Sequence, residues 1–513
     1  METEKIKLLT VTSVSACFEL INDDVYFVQN YSVILDGTEV LNGQNTNVFS
    51  IFDLTPNTSY QCQVKFVDNS ILTTQFVTLD ESVAISVADF FCHADGVQFD
   101  TKALQAAFDV CPPNGRVIIP KGTYLTAPLV LRSEITVELK QGATILGSNN
   151  IDDYQILPGE LNSRCSQNVS IVSTWEGNPL KCFQSLLSSH NQTDITIVGK
   201  GKIDGNAPNS KWYDEAKNTE RGRPRLVFFN SCSNIILHGN TFTNSASWTI
   251  HPFFCKSVKA FDIEVSCPAD SPNTDGFNPE SCDGVQIIGC KIASGDDCIA
   301  IKSGKFDMAK RFNTPCKNIE IRNCLMKDGH GSVVLGSELS AGIYNLKVSQ
   351  CMFLGTDRGL RIKTRRGRGK MAVIQNVSFN NIIMRDVLTP FVINSFYHCC
   401  DPDGKSEYVK SKKPLPLDDR TPILGKFVFD SITCYNVHFA CGFFYGLPEQ
   451  PIQEVKLNNV HFSIAKNARK GYPAMLCDVG ECSKRGIIAL NVKSLLLNNV
   501  SFNGIVGEQV DKI

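Results

Sequence analysis

Three aspartates, one histidine and two cations stand in four short clusters along the chain: Asn273-Thr274-Asp275-Gly276, Ser294-Gly295-Asp296-Asp297, Gly329-His330-Gly331 and Arg361-Ile362-Lys363. These residue types move protons and hold anions. Crowded carboxylates repel one another, and the repulsion raises the pKa of at least one, so that it keeps a proton near neutral pH. An imidazole beside them tunes that protonation. An Arg and Lys together can grip a carboxylate, Arg through a bidentate fork and Lys as a point charge. The set points to general acid–base chemistry on an anionic substrate. A lone Asp-Gly is more often plain turn chemistry; here the aspartates recur with a repeat.

The repeat identifies the elements that must position them. Each cluster lies in or at the end of a short alternating run, such as Val285-Gln286-Ile287-Ile288 or Ile319-Glu320-Ile321-Arg322, the period-two pattern of half-buried strands. Similar segments open at Ile235, Val258, Val285, Ile319, Leu346, Val377, Phe427, Val455 and Leu495, and the last two, VKLNNVHF and LLLNNVSF, are nearly copies. Recurrent strands without a helical pattern predict a parallel β-solenoid whose coils stack on one another. A sandwich would require hairpin turns such as Asn-Gly, which are scarce. Residues one coil apart then lie about 4.8 Å apart across the ladder. Asp275 and Asp296 are separated by 21 residues, one uninterrupted coil. His330 and Arg361 follow at about one coil plus a loop each, so all four clusters are expected on one face. Within RIK, Ile362 points inward only if Arg361 and Lys363 point outward together. The adjacent Asp296 and Asp297 would diverge in a flat strand, so a bend at Gly295 is predicted.

In this order the clusters resemble the signature of family 28 glycoside hydrolases, the polygalacturonases. The similarity extends through RPRLVFF (Arg223–Phe229), NSASWTIHP (Asn244–Pro252), GDDCIAIKSG (Gly295–Gly304) and GSVVLGSE (Gly331–Glu338), roughly from Ser86 to the C-terminus. The resemblance implies an all-β chain with a right-handed parallel β-helix of the pectin-lyase type. It also implies inverting hydrolysis of α-1,4-galacturonosidic bonds without metal or cofactor. By the family pattern, Asp296 matches the general acid, Asp275 and Asp297 the pair that holds and activates water, and His330 a tuning partner of the acid. Arg361 and Lys363 would meet sugar carboxylates, with Asn273 and Tyr397 as further substrate contacts. Arg366, in the basic run Thr364–Lys370, is expected to extend the carboxylate-binding wall, and Trp248 and His251 to line the sugar path, although Trp248 reads equally as core. His398-Cys399-Cys400 has no second Cys/His pair at zinc-ligand spacing. GSVVLGSE, the RRGRGK run and the N-terminal unit look like those of bacterial exo-acting members. Insertions such as Ser303–Cys316 and Asp401–Thr421 are expected to wall off one end of the cleft. The alternatives are a rhamnogalacturonan or xylogalacturonan hydrolase, a calcium-dependent lyase, and a non-catalytic carbohydrate-binding β-helix.

The rest of the chain sets the frame. A length of 513 residues exceeds the usual single-core limit of about 250–300, so a second unit or an elongated array is required. Fifty basic against 52 acidic residues leave a formal charge of −2, and such a balance recruits neither nucleic acid nor membrane through a global field. No apolar run is long enough to span a bilayer. The opening METEKIKLLTVTSVSACFEL reads as a strand rather than a secretory signal. The 21 cysteines, several at equivalent repeat positions (Cys290, Cys324, Cys351), read as stacked reduced thiols; a cytoplasmic location is expected. Residues 1–82 alternate like a fibronectin type III-like β-sandwich, with Tyr60 at a tyrosine corner and Phe18 as core aromatic. The unit is expected to act as a spacer packed on the catalytic domain, residues 83–513. Thr101 is the expected N-cap of an amphipathic helix through Leu104, Ala107, Phe108 and Cys111, stopped by Pro112-Pro113 and capping the apolar end of the solenoid.

Overall fold

The computed structural model describes residues 5–162, 169–217, 220–398 and 402–512. From Ala84 onward the chain winds as a parallel β-helix. The earlier coils lay two strands into one sheet of 23 strands, as Asp283–Ile288 and Lys291–Ala293 do, the later ones a single long strand such as Val373–Arg385, and a further strand goes onto a separate face. That third face begins as a sheet of four strands and continues as one of seven, the two joined by bridges from Ile250 to Phe277 and from Phe277 to Ile299.

The repeat legible in the sequence is the register of the helix. Ile235 pairs with Val258, Val258 with Val285, Val285 with Ile319, and Ile319 with Leu346. The ladder continues through Val377, Phe427 and Val455 to Leu495. All nine side chains lie inside the solenoid in one continuous apolar core, Leu495 only partly buried at its end. The Asn-Asn corners have a conformational reason. Asn381, Asn459 and Asn499 adopt φ of 53°, 50° and 52°, a left-handed geometry that Asn tolerates better than most residues. The last two stack, Asn499 donating to Asn459 at 2.8 Å. Cys290, Cys324 and Cys351 are fully buried at the matching corners, as their spacing predicts.

Helix Thr101–Val110 covers the first coil with Leu104, Ala107 and Phe108. Its N-cap is Asp100 rather than the expected Thr101, and neither side chain caps the helix. The Asp100 carboxylate accepts from the amides of His93 and Ala94, while the Thr101 hydroxyl accepts from Ala127. Both are used to tie the helix to the first coils.

Before the solenoid, one antiparallel sheet of three strands and one of four enclose a separate core around Phe18, Tyr31, Phe49 and Phe76. The Tyr60 hydroxyl accepts the Thr55 amide at 2.9 Å. This unit packs along the corner that follows the first strand of each coil. Glu19 takes a fork from Arg322 at 2.5 and 2.7 Å and an amide hydrogen from Asn323 at 2.7 Å. His238 lies between the hydroxyls of Ser15 and Ser50, at 3.1 and 2.9 Å, and Ser50 donates to Asp262 at 2.6 Å. Cys17 and Val48 pack on Phe261 and Ile288. His238, Phe261, Ile288 and Arg322 are successive rungs of one ladder, so the contact runs along the solenoid axis. Removing one partner of a buried ion pair typically costs about 3–5 kcal/mol. Glu19→Ala should lower stability in denaturant titration by about that amount, whereas an unchanged midpoint would mean the two units are not energetically coupled.

Candidate active site

The third face is where the four clusters meet. Asn273-Thr274-Asp275-Gly276 leads into the rung at Phe277, Ser294-Gly295-Asp296 leads into strand Asp297–Ile301, and Gly329-His330 leads into strand Gly331–Leu335. They are joined through backbone: the Gly276 amide donates to the Asp297 carbonyl at 3.0 Å, and the His330 amide to the Asp296 carbonyl at 2.9 Å. The Thr274 hydroxyl accepts the Gly295 amide from the next coil at 3.1 Å. The predicted bend is present, because Asp296 precedes the strand and Asp297 opens it. Gly295 is required there: a Cβ would lie 2.3 Å from the Ser271 carbonyl oxygen. At Gly329 it would lie 2.3 Å from that of Asp296.

The side chains then interlock. His330 Nδ1 lies 3.2 Å from Asp296 Oδ1, with the His330 side chain 53% exposed and that of Asp296 20%. Asn273 donates to the other Asp296 oxygen at 3.5 Å. Asp297 is buried and accepts from Lys363 at 2.5 Å and Arg361 at 3.3 Å, one oxygen to each cation. Tyr397 stands beside them, its ring centroid 5.8 Å from Lys363 Nζ.

Burial, then repulsion from Asp296 and Asp297, pushes the Asp275 carboxyl well above the ordinary carboxylate range, against the pull of Lys302. Burial also opposes ionisation of Asp296. The His330 hydrogen bond and the charges of Lys363 and Arg361 outweigh it, and hold Asp296 below the usual range. The same hydrogen bond raises His330. Burial and crowding thus favour the protonated form of Asp275, while the shifts of Asp296 and His330 favour a charged pair across their hydrogen bond.

Some expected site residues lie elsewhere. Arg366 is 1% exposed and spends its donors on Glu449, at 2.6 and 2.9 Å, and on the carbonyls of Tyr408, Ser411 and Lys413. It anchors the insertion before Thr421 and has no donor left for a sugar. Trp248 and His251 are buried, Trp248 beneath Trp175 with rings 5.7 Å apart, and His251 3.0 Å from Glu280. His398 is described, whereas Cys399 and Cys400 lie outside the described residues.

Two features escaped the sequence reading. Lys302, inside GDDCIAIKSG, is buried 3.5 Å from both Asp275 and Glu338 and 4.2 Å from the Trp248 ring centroid; it supplies the counter-charge beneath the acid cluster. The other is residues 465–484, a loop in the coil three rungs beyond Arg361. The Asn394 amide and the His398 N–H both donate to the Met475 carbonyl, at 2.9 and 3.3 Å. Arg361 reaches the Met475 sulfur, and Arg358 donates to the carbonyls of Tyr472 and Pro473 at 2.8 Å. Ala474 and Leu476 close over Val392, Phe396, Phe443 and Tyr445. Arg361 pairs with Val392, Val392 with Phe443 and Phe443 with Ile488. The polar floor therefore ends at the two cations and meets a roofed apolar wall.

Residues 115–412 match the model of glycosyl hydrolases family 28. A probable polygalacturonase of Vitis vinifera is 28% identical over 397 residues, spanning 75% of each chain. An exo-poly-alpha-D-galacturonosidase of Dickeya chrysanthemi is 26% identical over 427 residues, 72% of this chain and 67% of that one. Among solved structures, the family 28 exopolygalacturonase of Yersinia enterocolitica aligns with a TM-score of 0.68 at 21% identity. It covers 99% of this chain and 98% of its own, so the likeness of fold includes the N-terminal unit.

Lys302→Met should destabilise by about 3–5 kcal/mol, because it strands the Glu338 carboxylate in the interior. Burial opposes ionisation of Glu338, but Lys302 and then Lys305 hold it down at about 2, against an ordinary 4.5. A depressed carboxyl contributes stability that is complete above its unfolded pKa and is lost as pH falls through its folded one. The parent should therefore lose stability between about pH 4.5 and 2 more steeply than the variant does in acid titrations, and parallel curves would remove Lys302 from this role.

Proposed function

The chain belongs to glycosyl hydrolases family 28, and from that membership we propose that it hydrolyses α-1,4 bonds between galacturonic acid residues, acting from a chain end. The observation that carries the chemistry is the convergence of Asp275, Asp296, Asp297 and His330 on one corner of successive coils, against Arg361 and Lys363. Hydrolysis of a glycoside requires a proton for the leaving oxygen and a carboxylate to activate water. Two buried cations with residual exposure of 9% each favour a substrate that carries its own carboxylates over a neutral sugar.

The same cations couple binding to proton supply. In the free site they hold Asp296 down. A galacturonate carboxylate beside them offsets their charge, so the Asp296 pKa rises and the proton shared with His330 passes to Asp296. Asp296 delivers it to the glycosidic oxygen as the C–O bond breaks. A water held by Asp275 and Asp297 attacks the anomeric carbon from the opposite face, in a single inverting displacement. That pair takes up the proton the water gives up.

The wall beyond Arg361 supports attack at a chain end. The stacked Val392, Phe443 and Ile488, roofed by Ala474 and Leu476, leave no polar path for further sugars on that side. The exo-acting name of the Dickeya relative agrees with this reading. The N-terminal unit, docked along a different corner of the coils, serves as a spacer rather than as part of the cleft.

Polygalacturonate digested with the protein should yield a single short product, monomer or dimer, from the earliest time points by size-resolved chromatography. A ladder of intermediate lengths would overturn chain-end attack, and unsaturated products absorbing in the ultraviolet would point to a lyase instead. Asp296→Asn should lower turnover by about 10²–10⁴-fold, the usual worth of a positioned acid. A parent protein that leaves polygalacturonate intact and only binds it would favour the non-catalytic alternative.

A further inference from the structure

Arg223 opens the RPRLVFF segment and takes no part in the chemistry described so far. It is 2% exposed, and its guanidinium lies at the foot of the acid cluster. One terminal nitrogen donates to the carbonyls of Ala246 and Pro272, at 2.7 and 3.0 Å, and the other to Asn273 Oδ1 at 2.6 Å. Asn273 sits at φ 55°, in the left-handed region that Asn tolerates better than most residues. Because the guanidinium can only donate, it claims the amide oxygen and turns the nitrogen the other way. That nitrogen is the group 3.5 Å from Asp296 Oδ2, the carboxylate oxygen that His330 does not hold.

We propose that Arg223 is a positioning residue for hydrolysis, acting through Asn273: it fixes the amide so that its N–H addresses Asp296, and thereby sets the orientation and proton affinity of the acid. The guanidinium is the group suited to this. It has a rigid fork with donors in several directions, and it clamps the carbonyls before and within the Asn273 loop while it orients the side chain; a lysine ammonium cannot span that arrangement. With the amide free to turn, its oxygen could face Asp296, and the acid would lose one of the two contacts that locate it.

The inference rests on Asp296 as the acid, and a double-mutant cycle separates the two claims. Arg223→Gln, Asn273→Ala and the double variant would be assayed on oligogalacturonate across pH, with thermal melts beside them. Arg223→Gln should lower kcat about 10-fold or more with KM within about twofold, in line with the loss of a contact made in the transition state. The double variant should be no slower than Asn273→Ala alone. The alkaline limb of kcat/KM should move to higher pH in both single variants, since each loses a donor that favours ionised Asp296. Multiplying effects, or a profile lowered without displacement, would overturn the proposal while leaving the hydrolase reading intact. If Arg223→Gln does not fold, Arg223→Lys enters the same cycle with the same expected non-additivity. A crystal structure of either variant reads the point without turnover: Asn273 rotated away from Asp296 supports the proposal, and Asn273 unmoved contradicts it.

Discussion

The parallel backbone ladder is the constraint on which the rest of this molecule depends. Stacked coils repeat at about 4.8 Å, a spacing at which side chains from successive rungs must touch. Inside the solenoid this forces like onto like, and the nine-residue ladder from Ile235 to Leu495 becomes a dry column. At the corner before the third strand it forces carboxylate onto carboxylate. Asp275 and Asp296 are remote in sequence, yet the winding leaves them no way to avoid one another. What would be a defect in a core is here what sets neighbouring carboxylates to different proton affinities.

Crowding of that kind is tolerable only with counter-charge, and the structure supplies it at two points. Lys302 lies beneath Asp275 with Glu338 on its far side. Arg361 and Lys363 each take one oxygen of Asp297. The three cations differ in what they leave for substrate. Lys302 is sealed under Trp248, whereas Arg361 and Lys363 keep a little exposed surface at the point where the groove ends. The same two side chains therefore stabilise the empty site and mark where a uronate carboxylate belongs. The wall behind them rests on apolar packing between coils, so the length of the groove is set by the core of the later coils rather than by the catalytic residues themselves.

How much of this was legible in the sequence depends on the distance over which each feature is encoded. The strand register was readable because it is a local pattern repeated many times, and the acid cluster because its members recur at coil spacing. Gly295 announced the bend that brings Asp296 and Asp297 to one side. Arg366 misled because its meaning lies in Glu449 and in an insertion whose path no local pattern specifies. Trp248 and His251 were ambiguous for a similar reason: Trp175, which covers Trp248, comes from a loop far upstream. The roof at Met475 was invisible, since it is an irregular segment three coils beyond Arg361. Lys302 could have been found, because it pairs across one rung with Glu280, the same spacing that revealed the aspartates.

The central claim is that coil stacking builds one acid site against two carboxylate-binding cations, with the groove ending there. A crystal structure of the Asp296→Asn variant with trigalacturonate bound tests it most directly. The account predicts a sugar carboxylate on Arg361 and Lys363, a glycosidic oxygen within hydrogen-bond distance of the residue 296 side chain, and no sugar beyond Met475. Trigalacturonate seated on another face, or running past Met475 over Val392 and Phe443, would contradict it.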